Sequence, residues 1–278
     1  MFYLILAILS SAMIAIVMRF AQPRIKYPTG LLAGNYITCS ILALLLATRE
    51  LAAISAGSLV IPAGLGIING FFYLVSFALM QWNTRHNGVT LSSVFMKLGI
   101  LVPTVLSVVW FHESPTVLQI SGFLLAVSAI VIIHYQKGQT LTGKSWALLL
   151  MLLIGGMGDG MSKVYEVYGD SGLQNTFLFF TFFAALLLCL GFMRRKQEHL
   201  GIKELGYGAL LGIPNFFSSL FLLKSLDTVT AVIAFPTFSV AVILVVAVAG
   251  IFVFHERLQR RQFIGGILIC IALALLNL

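Results

Sequence analysis

Ionisable side chains inside apolar stretches are where this chain could do chemistry. Each costs about 2.5–3.5 kcal/mol to place mid-bilayer on insertion scales, so such groups face cavities, partners or solutes. Lys97 lies nine residues into the apolar stretch 88–111, about 14 Å along a helix rising 1.5 Å per residue. A cation at that depth can meet a solute carboxylate or phosphate, take part in proton coupling, or close an ion pair inside the bundle. Asp159, Lys163 and Glu166 follow one another at spacings of four and three within 145–166, which places them on one helix face. Asp159 is the deepest and is the expected partner of Lys97. Lys163 and Glu166 are expected to form a neutralised ladder at the helix end.

Amides extend the candidate binding set. Asn69 closes the run GlyIleIleAsn (66–69) and Asn215 the run GlyIleProAsn (212–215). Their matched positions would let a pair of donor–acceptor groups flank a polar solute or bond neighbouring helices. Asn35, beside Tyr36, is a candidate of the same kind, and Tyr73 is the aromatic expected to line a pocket. Pro103 and Pro236 lie inside apolar stretches, where a missing N–H can open or kink a helix. Glu113 and Glu256 each stand at a helix start, where a carboxylate complements the positive end of the dipole. Their neighbours His112 and His255 are expected to be polar boundary residues.

Several chemistries drop out. The run GlyGlyMetGlyAspGly (155–160) follows no strand and lies in an apolar helix, so it is not a dinucleotide loop. Cys39, Cys189 and Cys270 are isolated in apolar stretches, which offers neither a disulfide framework nor a metal-ligand spacing. No cofactor and no metal are expected.

The elements that must position these residues follow from composition. Of 278 residues, 60% are hydrophobic and 9% charged, against about 25% charged in soluble domains. A soluble enzyme, a nucleic-acid-binding domain and a disordered chain are excluded. Ten segments approach the ~20 apolar residues a bilayer-spanning helix needs: 2–18, 29–48, 57–81, 88–111, 115–135, 145–166, 173–193, 205–226, 229–254 and 261–277. Strand-like alternation is absent, so the expected class is an all-α polytopic membrane protein. The opening residues lack a basic region and a cleavage site, and the first segment is expected to be retained. Thirteen of the seventeen Lys and Arg residues lie in loops after odd-numbered segments, against Arg49 in the other set. The positive-inside rule then places both termini on the extracytoplasmic side of a bacterial cytoplasmic membrane, and the net charge of +8 reports orientation and not nucleic acid.

A shift of 143 residues superimposes PheHisGlu 111–113 on PheHisGlu 254–256, and Gln119, Gly122, Leu125 and Ala129 on Gln262, Gly265, Leu268 and Ala272. Further back the match slips by three, which a longer loop before the fourth segment would explain. Small residues also recur four apart, as in Gly30/Gly34, Gly66/Gly70, Gly156/Gly160 and Gly208/Gly212, a spacing suited to close helix packing. The expected domains are two repeats, 1–138 and 139–278. Five helices per repeat is an odd number, so the repeats insert with opposite orientation, an architecture common among secondary transporters.

A Glu before the fifth helix of each half, followed nine residues later by a Gly (Glu113 with Gly122, Glu256 with Gly265), resembles the EamA-like branch of the drug/metabolite transporter superfamily. The resemblance covers nearly the whole chain. It implies ten transmembrane helices in two inverted repeats, and transport of a small solute across the membrane. Many members of that family keep both termini in the cytoplasm, opposite to the orientation given by these loop charges. The expected function is a secondary transporter of a small polar or amphipathic solute, amino-acid-like or anionic, working by alternating access with a coupling proton or ion. A membrane-embedded enzyme on lipid-linked substrates and a channel or structural subunit are the alternatives.

Overall fold

The apolar segments form helices, which satisfy their own backbone groups in hydrocarbon. The computed structural model describes residues 1–52, 56–134, 146–254 and 260–278. In order these contain α1 (Phe2–Ala21), α2 (Pro28–Leu51), α3 (Val60–His86), α4 (Val89–Leu98), α5 (Leu101–Val109), α6 (Val117–His134), α7 (Trp146–Tyr168), α8 (Gln174–Arg195), α9 (Ile202–Leu226), α10 (Ala231–Phe254) and α11 (Arg260–Leu276). Eight described stretches are long and apolar enough to cross a membrane, with α4 and α5 forming one of them and α6 a shorter apolar helix beside them. Ten transmembrane helices fit this arrangement, the fourth being split in two.

The split has a covalent cause. Pro103 has no N–H to donate to the Gly99 carbonyl, its partner in an unbroken helix. Instead Val102 donates to the Gly99 carbonyl at 3.0 Å and Gly99 donates to the Met96 carbonyl at 3.2 Å. The chain tightens locally to three-residue bonding at Gly99 and Ile100, which ends α4 and starts α5. Pro236 lies inside α10 without interrupting it.

Two compact units form, and each draws on both halves of the sequence. One comprises Met1–Leu74 and Val164–Asp227, the other Val75–Lys163 and Thr228–Leu278.

In the first unit α2 packs on α8 and α9, and α1 on α9. Glycines let two helix pairs approach backbone to backbone. A Cβ at Gly208 would lie 2.6 Å from the Leu31 carbonyl oxygen, and one at Gly212 2.7 Å from that of Asn35. The same contacts recur between α3 and α8: a Cβ at Gly66 would lie 2.8 Å from the Phe177 carbonyl oxygen, and one at Gly70 2.5 Å from that of Thr181. Gly66 therefore corresponds to Gly208 and Gly70 to Gly212, a shift of 142, while Leu31 corresponds to Phe177 and Asn35 to Thr181, a shift of 146.

Helix ends in this unit are completed reciprocally. Glu50, in the last turn of α2, accepts the backbone N–H groups of Asn175 (3.2 Å) and Thr176 (2.8 Å) at the start of α8. Glu198, beyond α8, accepts the N–H of Thr29 at the start of α2 at 3.1 Å. Each helix thus caps the other, so the two run antiparallel, as equivalent elements of inverted repeats must.

In the second unit α6 packs along α11, and Ala126, Ala129, Ile130, Val240, Ile269 and Ala272 form the core. A Cβ at Gly122 would lie 3.0 Å from Leu276, and one at Gly265 would collide with Ile133. These contacts are reciprocal under the shift of 143. Asn83 ties the last turns of α3 to α7 by donating to the Ala147 carbonyl at 2.9 Å.

Candidate functional site

The expected site residues fall into two sets, one per unit. In the second unit the break in α4–α5 packs against α7 at its tightest point. The Gly99 carbonyl and Val102 occupy the space that a side chain at Gly156 would need. Lys97 stands two residues before Gly99, and Asp159 three residues after Gly156. This backbone contact brings the two charged residues to the same level of the unit. Lys97 is half-buried, and Asp159, the fourteenth of the 23 residues of α7, is exposed.

One turn along α7, Lys163 does not pair within a ladder on its own helix alone. Its Nζ lies 3.0 Å from Glu113 Oε1, both side chains nearly closed off at 9% and 12% exposure, and 5.7 Å from the Phe111 ring centroid. Glu113 in turn holds the start of a helix, though a different one from that expected. Its Oε1 and Oε2 accept the N–H groups of Ala231 (3.1 Å) and Val232 (2.9 Å), so it caps α10 and not α6, which follows it in sequence. The turn that aims it this way puts His112 in the left-handed region, φ 54°, and lets Glu113 N donate to the Ser107 carbonyl at 3.0 Å. Glu256 and His255 lie outside the described residues.

In the first unit Asn215 Nδ2 donates to Asn35 Oδ1 at 3.2 Å, and Cys39 donates to the Gly212 carbonyl at 3.3 Å. Tyr73 meets Phe182 edge-on at 6.0 Å, and Tyr36 lies 6.5 Å from the same ring. Asn69 is 2% exposed, and its Oδ1 meets no hydrogen-bond donor among the described residues.

Asn69 and Asn215 do not hold matched places. The shift of 142 set by the glycines pairs Asn215 with Tyr73 and Asn69 with Leu211. Burial follows that register: Asn69 and Leu211 are both 2% exposed, Ile68 and Leu210 48% and 52%, Phe71 and Ile213 51% and 47%. The slip also lies elsewhere than expected. Four extra residues separate α2 from α3, and the α3–α4 connection differs from its counterpart by only one.

Sequence reasoning missed three carboxylates. Glu50 and Glu198 cap α8 and α2, and Glu204 accepts the N–H groups of Lys26 (2.8 Å) and Tyr27 (3.2 Å). Each reads in sequence as an ordinary loop or helix-end charge. A groove of about 380 Å³ along α5 and α7, lined by Leu101, Val105, Leu106, Trp110, Leu152 and Leu153 among others, offers only apolar side chains and does not suit a polar solute.

The description of the EamA-like transporter family matches residues 1–135 and 141–278, virtually the entire chain in two copies. The chain belongs to the EamA-like transporter family. This EamA-like protein is thus an integral membrane transporter of the drug/metabolite superfamily, and membership points away from an enzyme. An uncharacterized protein from Haemophilus influenzae is 24% identical over 271 residues, covering 94% of this EamA-like chain and 92% of its own. A solved crystal structure at 13% identity matches 99% of this chain and 94% of its own with a TM-score of 0.76, a likeness of fold.

Proposed function

We propose that this EamA-like transporter is a secondary active carrier of a small polar or amphipathic solute, amino-acid-like or anionic. Residues 1–138 and 139–278 act as the two repeats that expose the solute alternately to each side of a bacterial cytoplasmic membrane, with a proton or ion as the coupling species. The observation that carries the proposal is the Lys97–Asp159 pair beside the α4–α5 break. A carboxylate at mid-helix in a membrane-spanning segment calls for a polar cavity, because facing lipid costs about 2.5–3.5 kcal/mol or more. Discontinuous helices beside such groups are a recurring way of building midplane binding sites. Lys97 would take the solute's carboxylate, and Asp159 its amino group or the coupling proton.

Counterflow of radiolabelled amino acids in proteoliposomes tests the proposal, since a channel gives no counterflow. Lys97→Ala should leave a folded protein without flux; normal flux in that variant removes Lys97 from the mechanism. Orientation is tested separately. A periplasm-active reporter fused after Leu278 should be active, and activity of a cytoplasm-only reporter at the same place would invert the topology.

A further inference from the structure

We propose that the Lys163–Glu113 pair is a tether between α7 and α10, released when an anionic solute occupies Lys97. The proposal rests on the carrier function above and deepens it by naming how occupancy is passed on. Four groups form a continuous series within one compact unit. Lys97 and Asp159 flank the contact of Gly99 with Gly156; Asp159 and Lys163 are one turn apart on α7; Lys163 Nζ lies 3.0 Å from Glu113. Glu113 holds the first two amide groups of α10 at 3.1 and 2.9 Å. Charges alternate along the series, so each interior member has two competing partners.

A solute carboxylate arriving at Lys97 takes the place of Asp159. Asp159 then has Lys163 as its nearest available cation, at a spacing where opposite charges meet on a helix. In this exchange Lys163 turns towards Asp159 and leaves Glu113. The carboxylate remains on the amides of α10, where the helix dipole favours it, but it no longer links α10 to α7. The first turn of α10 becomes free to move relative to α7. A capping role alone would need Glu113 and neither Lys163 nor any link to Lys97.

The test reads the first turn of α10 without any solute. In full-length protein with Cys39, Cys189 and Cys270 replaced by Ala, Val232→Cys adds a thiol of smaller volume at a site 3% exposed. Its reaction with N-ethylmaleimide in native membranes reports opening of that turn. Lys163→Met should raise the labelling rate about threefold or more, because it cuts the tether. Lys97→Met should do the same, because it turns Asp159 towards Lys163. Lys97→Met combined with Asp159→Asn should restore the parent rate, and Glu50→Gln, in the last turn of α2, should not change it.

An unchanged rate in Lys97→Met, or no restoration in the double variant, overturns the tether. Those two arms decide the matter even if Lys163→Met fails to fold. Labelling that ignores Lys97 while Lys97→Ala abolishes flux defeats the tether and leaves the carrier standing. Normal flux in Lys97→Ala with Lys97-dependent labelling defeats the proposed role of Lys97 in transport instead.

Discussion

Removing the carboxylate of Glu50 should destabilise the fold more than any other single loss of a surface-level charge in the first unit. Oε1 accepts Asn175 N at 3.2 Å and Asn175 Nδ2 at 2.6 Å; Oε2 accepts Thr176 N and Thr176 Oγ1, both at 2.8 Å. Glu50→Ala strands two backbone donors in the first turn of α8 and two side-chain donors beside them. Loss of an ordinary helix cap costs about 0.5–2 kcal/mol, and the charge on the helix dipole adds about 0.3–1 kcal/mol. The site is partly buried, so water replaces some of the lost side-chain bonds and the sum is about 1–3 kcal/mol. At about 2–4 °C per kcal/mol for a chain of this order of size, Tm should fall by roughly 2–12 °C. Glu50→Gln keeps one acceptor oxygen and should lose about half as much. Thermal unfolding in detergent micelles, followed by tryptophan fluorescence, measures the difference, with Arg49→Ala as the neighbouring control. The reciprocal change Glu198→Ala frees one amide, that of Thr29, and should cost about 1 kcal/mol. A Glu50→Ala protein melting within about 1 °C of the parent would refute this account of the α8 cap.

Other substitutions test neighbouring parts of the argument by the same assay. Pro103→Ala restores a donor for the Gly99 carbonyl and should raise Tm; a fall would mean that packing against Gly156, and not the missing N–H, sets the break. Gly156→Ala forces a methyl group into the Gly99 carbonyl and Val102 and should cost about 1–3 kcal/mol. Gly191→Ala meets nothing within 4 Å and should stabilise by about 0.5–1 kcal/mol through helix propensity. If both changes moved Tm in the same direction, the close contact of α7 with the α4–α5 break would be in doubt.

The ten helices were legible because a bilayer imposes length and apolarity on each, and both are written in the order of residues. The shift of 143 was legible where spacing is conserved between halves, and Gly122 and Gly265 meet their neighbours reciprocally under it. It failed upstream because AsnXxx matches in apolar helices are cheap: Asn69 and Asn215 share a letter, while contacts and burial pair Asn215 with Tyr73. Lys97 and Asp159 stand out in sequence because charges inside apolar stretches are few. Lys163 has two acidic residues within a turn of it on α7, yet it meets Glu113 across the unit, a choice that depends on where the α5–α6 turn delivers the carboxylate. The capping roles of Glu50, Glu198 and Glu204 were hidden for the same reason, since their partners lie more than a hundred residues away.

The reciprocal caps on α2 and α8 bear on how the protein is made. When a ribosome has delivered the first 135 residues, Glu50 has no helix to complete and the amide of Thr29 has no carboxylate. Both wants are met only after residue 198 has left the translocon, so the first half must wait in the lipid with its ends unfinished. The N-terminal half expressed alone should therefore be short-lived in cells, and co-expression of the C-terminal half as a separate chain should extend its lifetime. Birth of the protein is in this sense a reunion of two partners, each holding the missing end of the other.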